Sequence, residues 1–293
     1  MGTERVPRLS IGLPVYNGER FLTATIESLL AQSYTDFELI LADNASTDST
    51  AEICRQYADR DPRVQHHRSN VNLGAAWNFN RAFRLSRGEY FKWAANDDLH
   101  HPRFVEECVD HLDSDPALIL CFARTQFIDD HGSSLGEYKF PVDVNEASRR
   151  ELFLVYAAGG HIVHEIFGVI RSQALRQSPL IGSFVGSDHI LLGTLALRGR
   201  FYQVPEILFQ HREHAGRSTR ATGGARGYTQ WFDPSKSGRF VMPHWRRVFE
   251  NTRSVARAPL TLPEKSAHLW DICRAMNWNR RALLQDISRV LGP

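Results

Sequence analysis

The first 112 residues repeat one pattern four times, and this repeat constrains the fold more than any other feature. Each repeat is a short apolar stretch, a polar loop and a segment with apolar residues at helical spacing; the predicted strands are 9–15, 37–42, 64–67 and 90–95. Apolar runs of this kind predict strands, and apolar positions three and four apart predict helices. Strands that alternate with helices indicate an α/β fold with a mostly parallel, Rossmann-like central sheet flanked by helices.

The loop after the fourth predicted strand is the most informative. The apolar run ends in Asn96, Asp97 and Asp98, and Pro102 then precedes a segment with helical spacing. Open α/β sheets bind ligands at the carboxyl ends of their strands, which is where these carboxylates lie. Because adjacent carboxylates repel each other, they suit a hard cation such as Mg²⁺ or Mn²⁺, but a helix N-cap with an acidic first turn explains them equally well. These residues alone leave both interpretations open.

Composition narrows the class of protein. The 293 residues carry a net charge of +2, which gives no reason to expect nucleic acid as a partner. The four cysteines form no C-x-x-C pair, so neither a disulfide framework nor a zinc ribbon is predicted. The sequence contains no apolar run of membrane-spanning length and no signal peptide. We therefore expect a cytoplasmic protein without a transmembrane segment.

Polar residues follow all four predicted strands, and parallel strands bring such loops to one edge of a sheet. Each of these residues alone is an ordinary turn residue, but four polar loops at one edge are a stronger signal. The glycine patterns of dinucleotide-binding and P-loop proteins are absent, so a bound nucleotide would need a metal and side chains at its phosphates. The loop residues are Tyr16, Asn17, Glu19, Asp43, Ser46, Asp48, Arg68, Asn72, Gly74, Asn96, Asp97 and Asp98.

Four segments together resemble the successive motifs of the family 2 glycosyltransferases. They are Ile11-Gly-Leu-Pro-Val-Tyr-Asn17, Leu41-Ala-Asp-Asn-Ala-Ser-Thr-Asp-Ser-Thr50, Asn72-Leu-Gly74 and Asn96-Asp-Asp98. The resemblance is specific because the motifs keep their order and loop context over about the first 110 residues. It implies a GT-A fold and an inverting enzyme that uses a nucleotide-activated sugar.

The resemblance also implies residue roles. The loop with Pro14, Tyr16, Asn17 and Glu19 would hold the nucleoside, and Asp43 would reach the base. Asp97 takes the last position of the family's D-x-D motif, which meets the metal on the diphosphate, and Ala95 replaces the first Asp of that motif. Asp98 is then the candidate for part of the metal contact. The nucleotide site is predicted to include Arg68, Asn72, Gly74 and Asn96 as well.

The second half of the chain contains a candidate general base. Asp188 lies in Gly186-Ser-Asp188, directly before an apolar helical stretch, so Ser187 or Asp188 is a candidate N-cap. The segment resembles the family's (E/D)-D motif with Ser187 in the first position, which would make Asp188 the general base. Glu165 is the next candidate. It lies in a His- and Glu-rich segment, 161–165, that matches no zinc-protease motif.

Arg212-Glu-His214 resembles a late family motif whose histidine reaches the metal or the diphosphate. A His and a carboxylate together suit Mn²⁺ better than Mg²⁺. Residues 211–226 are rich in Arg and Gly, which also predicts a cationic loop that closes over the sugar diphosphate.

The last part of the chain is predicted to be helical, with tryptophans among arginines. We expect a catalytic domain over 1–225, with a nucleotide-binding half (1–112) and an acceptor half (113–225), and a helical extension over 226–293. The extension would cover the core, bind acceptor or lie on a membrane surface.

The predicted function is metal-dependent transfer of a sugar from a nucleotide-diphosphate donor, of UDP type, to a glycan, lipid-linked or small-molecule acceptor. Two other functions stay open, a nucleotidyltransferase and a non-catalytic nucleotide-sugar-binding module, and so does a homodimer. A nucleotidyltransferase would need a glycine-rich phosphate loop near the first strand, which Pro14 to Gly18 does not supply.

Overall fold

The computed structural model describes residues 5–216, 225–236 and 242–291 and confirms the α/β class. Its central sheet has nine strands in the order β3-β2-β1-β4-β8-β6-β9-β5, with β7 paired to β6. The strands are β1 (Leu9–Val15), β2 (Phe37–Asp43), β3 (Val64–Arg68), β4 (Tyr90–Trp93), β5 (Leu99–His100), β6 (Leu118–Ile128), β7 (Ser134–Glu137), β8 (Val169–Arg171) and β9 (Arg200–Arg212).

The helices follow the strands as the sequence predicts. In the described ranges they are α1 (Glu19–Leu30), α2 (Thr50–Arg60), α3 (Ala75–Leu85), α4 (Phe104–Ser114), α5 (Arg149–Ala158), α6 (Ser172–Arg176), α7 (Ser187–Ala196), α8 (Ala225–Phe232), α9 (Pro243–Arg257), α10 (Leu262–Trp278) and α11 (Arg280–Leu291). Two 3₁₀ turns are at His164–Phe167 and Pro234–Lys236.

Parallel pairing of β1, β2, β3 and β4 brings the polar loops together. Val15 pairs with Asp43, and Asp43 pairs with Arg68, so three of these strands end at the same level. β4 pairs with β1 on the other side, from Leu9 to Gly12. All seven residues of β1 and all seven of β2 are buried, as expected for strands covered by helices on both faces.

Two apolar clusters cover the two faces of the sheet, and a third lies beneath the C-terminal helices. The third cluster joins α5, α9 and α10 through Phe153, Val255 and Ile272. The C-terminal helices therefore pack back on the rest of the chain, one of the predicted arrangements. Helix α8, which the sequence assigns to the extension, packs closer to the nucleotide-binding half: Phe232 belongs to the same cluster as Phe91 and Trp93.

Some local predictions differ from the structure. The spacing of Ser49 and Glu52 predicts a capping box at the start of α2. It does not form, because the Ser49 amide donates to Glu19 instead and Glu52 contacts Arg55 and Gln56. The sequence pattern predicts separate strands at 201–204 and 207–210, but these residues form one strand, β9. It also predicts a strand over 166–170, but these residues are divided between a 3₁₀ turn and β8.

Much of the predicted closing loop, residues 217–224 with Arg217, Ser218 and Arg220, lies outside the described residues. In the described part of the chain, none of the helices combines the length and apolar composition that crossing a bilayer requires.

Candidate active site

The polar loops open into one large cavity of about 1030 Å³. Both halves of the chain contribute to its walls, from the β1 loop to α7 and the end of β9. Eight of the predicted site residues line it: Pro14, Tyr16, Asn17, Asn72, Asn96, Asp97, Asp188 and His214. The volume is at the upper end of the range for small-ligand sites.

The β1 loop is fixed by contacts with the loop after β2. The Asn17 amide donates to Ser46 Oγ at 3.0 Å, and Asn17 Oδ1 accepts from the Thr47 amide at 2.8 Å. Asn17 has a φ of 50°, a conformation that asparagine adopts more readily than most residues. At Gly18, an added Cβ would lie 2.3 Å from Asn96 Nδ2. The Asn-Gly pair therefore lets the β1 loop pack directly against the loop after β4.

Asp43 lies behind this wall, with its side chain fully buried. Its Oδ1 accepts from the Ser46 amide at 2.9 Å, and its Oδ2 pairs with the Arg68 guanidinium at 3.0 Å. Burial raises the pKa of Asp43, but His66, Ser46 and Arg68 together outweigh burial and hold that pKa below its usual value. Arg68 and Asp43 therefore form one charged unit beneath the loop that carries Ser46.

Glu19 and Gly74 have local structural contacts. Glu19 Oε2 accepts from the Ser49 amide at 2.8 Å, at the start of α2. Gly74 has a φ of 87°, and an added Cβ would lie 2.5 Å from the Phe232 carbonyl oxygen. Gly74 therefore allows α8 to pack closely against the start of α3.

Asp97 and His214 form a pair at the cavity wall. Asp97 Oδ2 lies 2.9 Å from His214 Nε2, and the His214 ring packs edge-on against Phe21 at 4.9 Å. Among the described residues, the buried His214 Nδ1 has no hydrogen-bond partner. A carboxylate and an imidazole are donors that Mn²⁺ accepts, so the pair fits a metal carried in on a diphosphate.

The structure gives Asp98 a different environment from the one predicted for a metal ligand. Its side chain is fully buried, and its oxygens accept from the Arg212 amide at 2.9 Å and contact the His211 ring at 3.1 Å. Burial raises the pKa of Asp98, and the contacts with His211 and Arg212 lower it only in part. Both carboxylate oxygens are thus engaged with the end of β9 rather than directed at the cavity.

Arg212 is a structural residue of the site that the sequence gives only as part of the Arg-x-His segment. It is 4% exposed, and its side chain donates to the backbone oxygens of Asp97, Asp129 and Asp130. It therefore ties the Asp97 loop to the β6–β7 hairpin. The Arg-x-His pattern was the available sequence signal, but the partners of Arg212 are distant in sequence.

Asp188 lies in the first turn of α7 and is not its N-cap. The N-cap is Gly186, with a φ of 83° and no side-chain hydrogen bond, so the capping interpretation of Ser187 or Asp188 is wrong. Asp188 Oδ1 instead accepts from the His189 amide at 2.8 Å and contacts His189 Nδ1 at 3.1 Å. Its side chain is 31% exposed, to the cavity that it lines.

The charge state of Asp188 follows from these contacts. Burial raises the pKa of Asp188, but the hydrogen bonds and charge of His189 outweigh burial and hold that pKa below its usual value. His189 Nε2 lies 3.1 Å from the His161 carbonyl oxygen. Both His189 ring nitrogens thus face oxygen atoms, which fixes the ring beside Asp188.

Glu165 lies in the 3₁₀ turn close to this pair and is 1% exposed. Burial raises the pKa of Glu165 to about 8, and the negative charge of Asp188 adds to the increase. Among the described residues, its Oε2 has no hydrogen-bond partner. Glu165 is thus a mostly neutral acid at neutral pH, the opposite of Asp188.

No group of three or more His, Cys, Asp or Glu side chains arranged for a metal occurs within 5–216, 225–236 and 242–291. The described protein side chains therefore supply two metal donors at most at the Asp97–His214 pair. A cation there would complete its shell with oxygens of the ligand and water, as Mg²⁺ and Mn²⁺ do on bound phosphates.

Comparison with known proteins identifies the family. Residues 10–177 match the model of glycosyl transferase family 2. The chain is 34% identical to chondroitin synthase of Escherichia coli over 141 residues, which cover 47% of this chain and 20% of that protein. It is 26% identical to an uncharacterized glycosyltransferase of Rickettsia prowazekii over 220 residues, which cover 73% of this chain and 66% of that protein. The chain thus spans a fifth of the first relative and just under two thirds of the second.

Solved structures share the fold, and two of them serve as examples. The S. aureus TarS 1–349 structure in complex with UDP-GlcNAc has a TM-score of 0.66 at 15% identity, covering 92% of this chain and 72% of that chain. The mannosyltransferase PcManGT of Pyrobaculum calidifontis, in complex with GDP-Man and Mn²⁺, has a TM-score of 0.57 at 17% identity, covering 98% and 88%. The fold is GT-A, and the family match over more than half of the sequence shows that this chain belongs to glycosyl transferase family 2.

Proposed function

We propose that this glycosyltransferase is an inverting hexosyltransferase that uses a nucleotide-diphosphate sugar, of UDP type, and a divalent metal. The observation that carries the proposal is that one cavity is lined by both the Asp97–His214 pair and Asp188. The first suits the diphosphate end of a donor and the second suits an acceptor hydroxyl. The complexes of TarS with UDP-GlcNAc and of PcManGT with GDP-Man and Mn²⁺ support the donor class and the metal.

At the donor end, Asp97 and His214 are proposed to hold Mn²⁺ or Mg²⁺ on the diphosphate. The metal would supply positive charge to the leaving diphosphate. Asp98 is proposed to position this site, since Arg212 and His211 occupy its oxygens. Phe21 packs on the His214 ring and fixes its orientation.

At the nucleoside end, the proposed contacts are Pro14, Tyr16, Asn17, Asn72 and Asn96, which line the cavity. Asp43 is proposed to meet the base, with Arg68 holding its carboxylate in place. Access to Asp43 requires a small movement of the loop with Ser46, because the Asp43 side chain is fully buried. Glu19 and Gly74 are proposed to shape the site through the backbone contacts already described.

At the acceptor end, Asp188 is proposed to be the general base. It removes the proton from the acceptor hydroxyl while that oxygen forms a bond to the anomeric carbon and the bond from this carbon to the diphosphate breaks. A base must be anionic before the reaction, and the His189 contacts keep Asp188 in that form. Attack opposite the leaving group inverts the anomeric centre.

The test is a reaction of the purified chain with a panel of nucleotide sugars, with and without Mn²⁺, followed by NMR of the product. We expect metal-dependent release of the nucleoside diphosphate and a product whose anomeric configuration is opposite to that of the donor. Retention of configuration would contradict the proposed single displacement. Release of pyrophosphate from a nucleoside triphosphate would instead show a nucleotidyltransferase. Donor binding without turnover across donors and acceptors would favour a non-catalytic binding module.

A further inference from the structure

The outer face of helix α10 carries an apolar stripe that no other described element covers. Leu262 is 81% exposed, Trp270 is 65% exposed and Leu269 is 41% exposed. With 3.6 residues per turn, residues seven, eight and eleven positions after the first fall on the same side of a helix. The stripe consists of Leu262, Leu269, Trp270 and the exposed Cys273.

The opposite side of α10 is the side that packs on the protein. Ile272 and Ala275 join the cluster beneath the C-terminal helices, and Asp271 pairs with Arg150 of α5 at 2.7 Å. Helix α10 is thus fixed by its inner face, and its stripe is turned outward over about 17 Å of helix length. Single exposed apolar residues are common on proteins, but a stripe on one helix face indicates a surface that binds something.

The three C-terminal helices, α9 to α11, together carry a net positive charge. Residues 243–291 contain nine Lys and Arg against four Asp and Glu. Three of the four acids, Glu250, Asp271 and Asp286, are buried and paired with basic side chains. At the end of α10, Arg274 lies over the ring of Trp278 at 5.3 Å, and Trp278 is itself 56% exposed.

We propose that this face, the α10 stripe with Arg274 beside it, binds the surface of an anionic lipid bilayer. Trp and Leu enter the boundary between headgroups and acyl chains, and Arg side chains meet anionic headgroups. Basic residues near such a surface add electrostatic attraction to the anionic headgroups. A second copy of the chain is a poorer occupant, because a twofold contact would bring two sets of these positively charged helices towards each other. The proposal does not depend on the chemistry of the cavity.

The test is co-sedimentation of the full chain with vesicles of phosphatidylcholine alone and of phosphatidylcholine mixed with phosphatidylglycerol. We expect binding to the anionic vesicles and release at high salt, because salt screens the charges. The double variant Leu269→Ser/Trp270→Ser should reduce the vesicle partition coefficient at least about tenfold. The matched control is Leu135→Ser, at a site 58% exposed on β7, and it should bind as the wild type does.

Circular dichroism and thermal unfolding of the double variant should match the wild type, because both residues are exposed. Metal-dependent turnover with a water-soluble acceptor should also be unchanged. The vesicle test can therefore fail while the glycosyl-transfer test succeeds, and the reverse. The proposal is overturned if the wild type ignores anionic vesicles or if the double variant binds them equally well. A wild-type dimer that the double variant converts to a monomer, without vesicle binding, would assign the stripe to a second copy.

Discussion

At the residue scale, the proposed role of Asp188 as the general base can be tested most directly. Asp188→Asn keeps the shape of the side chain and an oxygen that accepts from the His189 amide, but it cannot take up the acceptor proton. Turnover should fall by about 10²-fold to 10⁴-fold, the usual contribution of a positioned base. Donor affinity and melting temperature should barely change, and Asp59→Asn, on an exposed site of α2, is the control. Near-normal turnover would move the search for the base to Glu165.

His189 sets the protonation of that base through its contact with Asp188. His189→Gln keeps a side chain that can donate to the carboxylate but removes the positive charge, so the pKa of Asp188 should rise. Because the base must be anionic, the acid limb of the kcat/KM profile should move to higher pH. Activity should recover at pH values above the new limb.

The other titratable groups near Asp188 and His189 determine the pH range in which this experiment can be interpreted. Burial lowers the pKa of His161 to about 4, so that ring stays neutral over the assay range. Glu165, with a pKa raised to about 8, gains negative charge only at the upper end. A His189→Gln profile with an unchanged acid limb and a uniformly lower rate would assign His189 to packing alone.

Glu165 should make the stability of the protein depend on pH. The pKa of an ordinary glutamate is about 4.5 and that of Glu165 in the folded chain is about 8, so the folded state binds more protons between these values. Stability should therefore decrease as pH rises from about 4.5 to 8 and then level off. Glu165→Gln removes this dependence. The free energy of unfolding of the variant minus that of the wild type should therefore be larger at pH 8 than at pH 5 by about 2–4 kcal/mol. Urea unfolding of both proteins at the two pH values measures the difference, and a parallel pH dependence would contradict the assignment.

At the scale of elements, the packing of the β1 loop on the β4 loop depends on Gly18. An alanine Cβ at this position would meet Asn96 Nδ2 at 2.3 Å and Val15 Cγ2 at 2.7 Å. Gly18→Ala should therefore displace both loops, weaken donor binding and cost about 1–3 kcal/mol of stability. The control is Gly193→Ala within α7, where the nearest contact is an ordinary 3.5 Å and helix propensity favours alanine. Equal donor affinities in the Gly18→Ala and wild-type chains would show that the loop contact does not shape the site.

The strands were predictable because buried parallel strands leave continuous apolar runs, as in β1 and β2. Contacts between loops were not predictable in the same way. Ser49 lost its predicted capping partner because Glu19, thirty positions earlier, lies closer to its amide in space. β9 looked like two strands because of Pro205, but its pairing with β6 shifts between Val204 and Ile207. Such an irregularity lets a strand pass a proline that has no amide hydrogen to donate.

The same distinction holds for the residues of the candidate site. Asp97, Asp188 and His214 were found from motifs, and the structure places all three at one cavity. The inward direction of Asp98 was not predictable, because it depends on the Arg212 amide more than a hundred positions away. The contact of Asp188 with His189 was also missed, although the two residues are adjacent. The orientation of the His189 ring depends on the His161 carbonyl oxygen, which only the folded chain brings to its far side.

At the scale of the whole molecule, ligand binding at one edge of the sheet should stabilise the entire chain. A ligand that binds only the folded state adds RT ln(1 + [L]/Kd), about 2.7 kcal/mol when its concentration is a hundred times Kd. UDP with Mn²⁺ should therefore raise the melting temperature more than UDP alone, since the cation joins the diphosphate to the Asp97–His214 pair. Asp97→Ala should lose the Mn²⁺-dependent part of the increase and keep the metal-independent part.

Asp43→Asn is the matched comparison, because Asp43 lies at the opposite end of the proposed donor site. This variant should reduce the affinity for UDP by the same factor with and without Mn²⁺. The ratio of these two affinities should therefore stay unchanged. Calorimetry of the folded variants separates lost binding from lost stability, which matters because Asp43 is buried against Arg68. Opposite patterns in the two variants would place the metal and the base at the two ends of one ligand. An Mn²⁺-dependent increase that survives Asp97→Ala would remove Asp97 from the metal site.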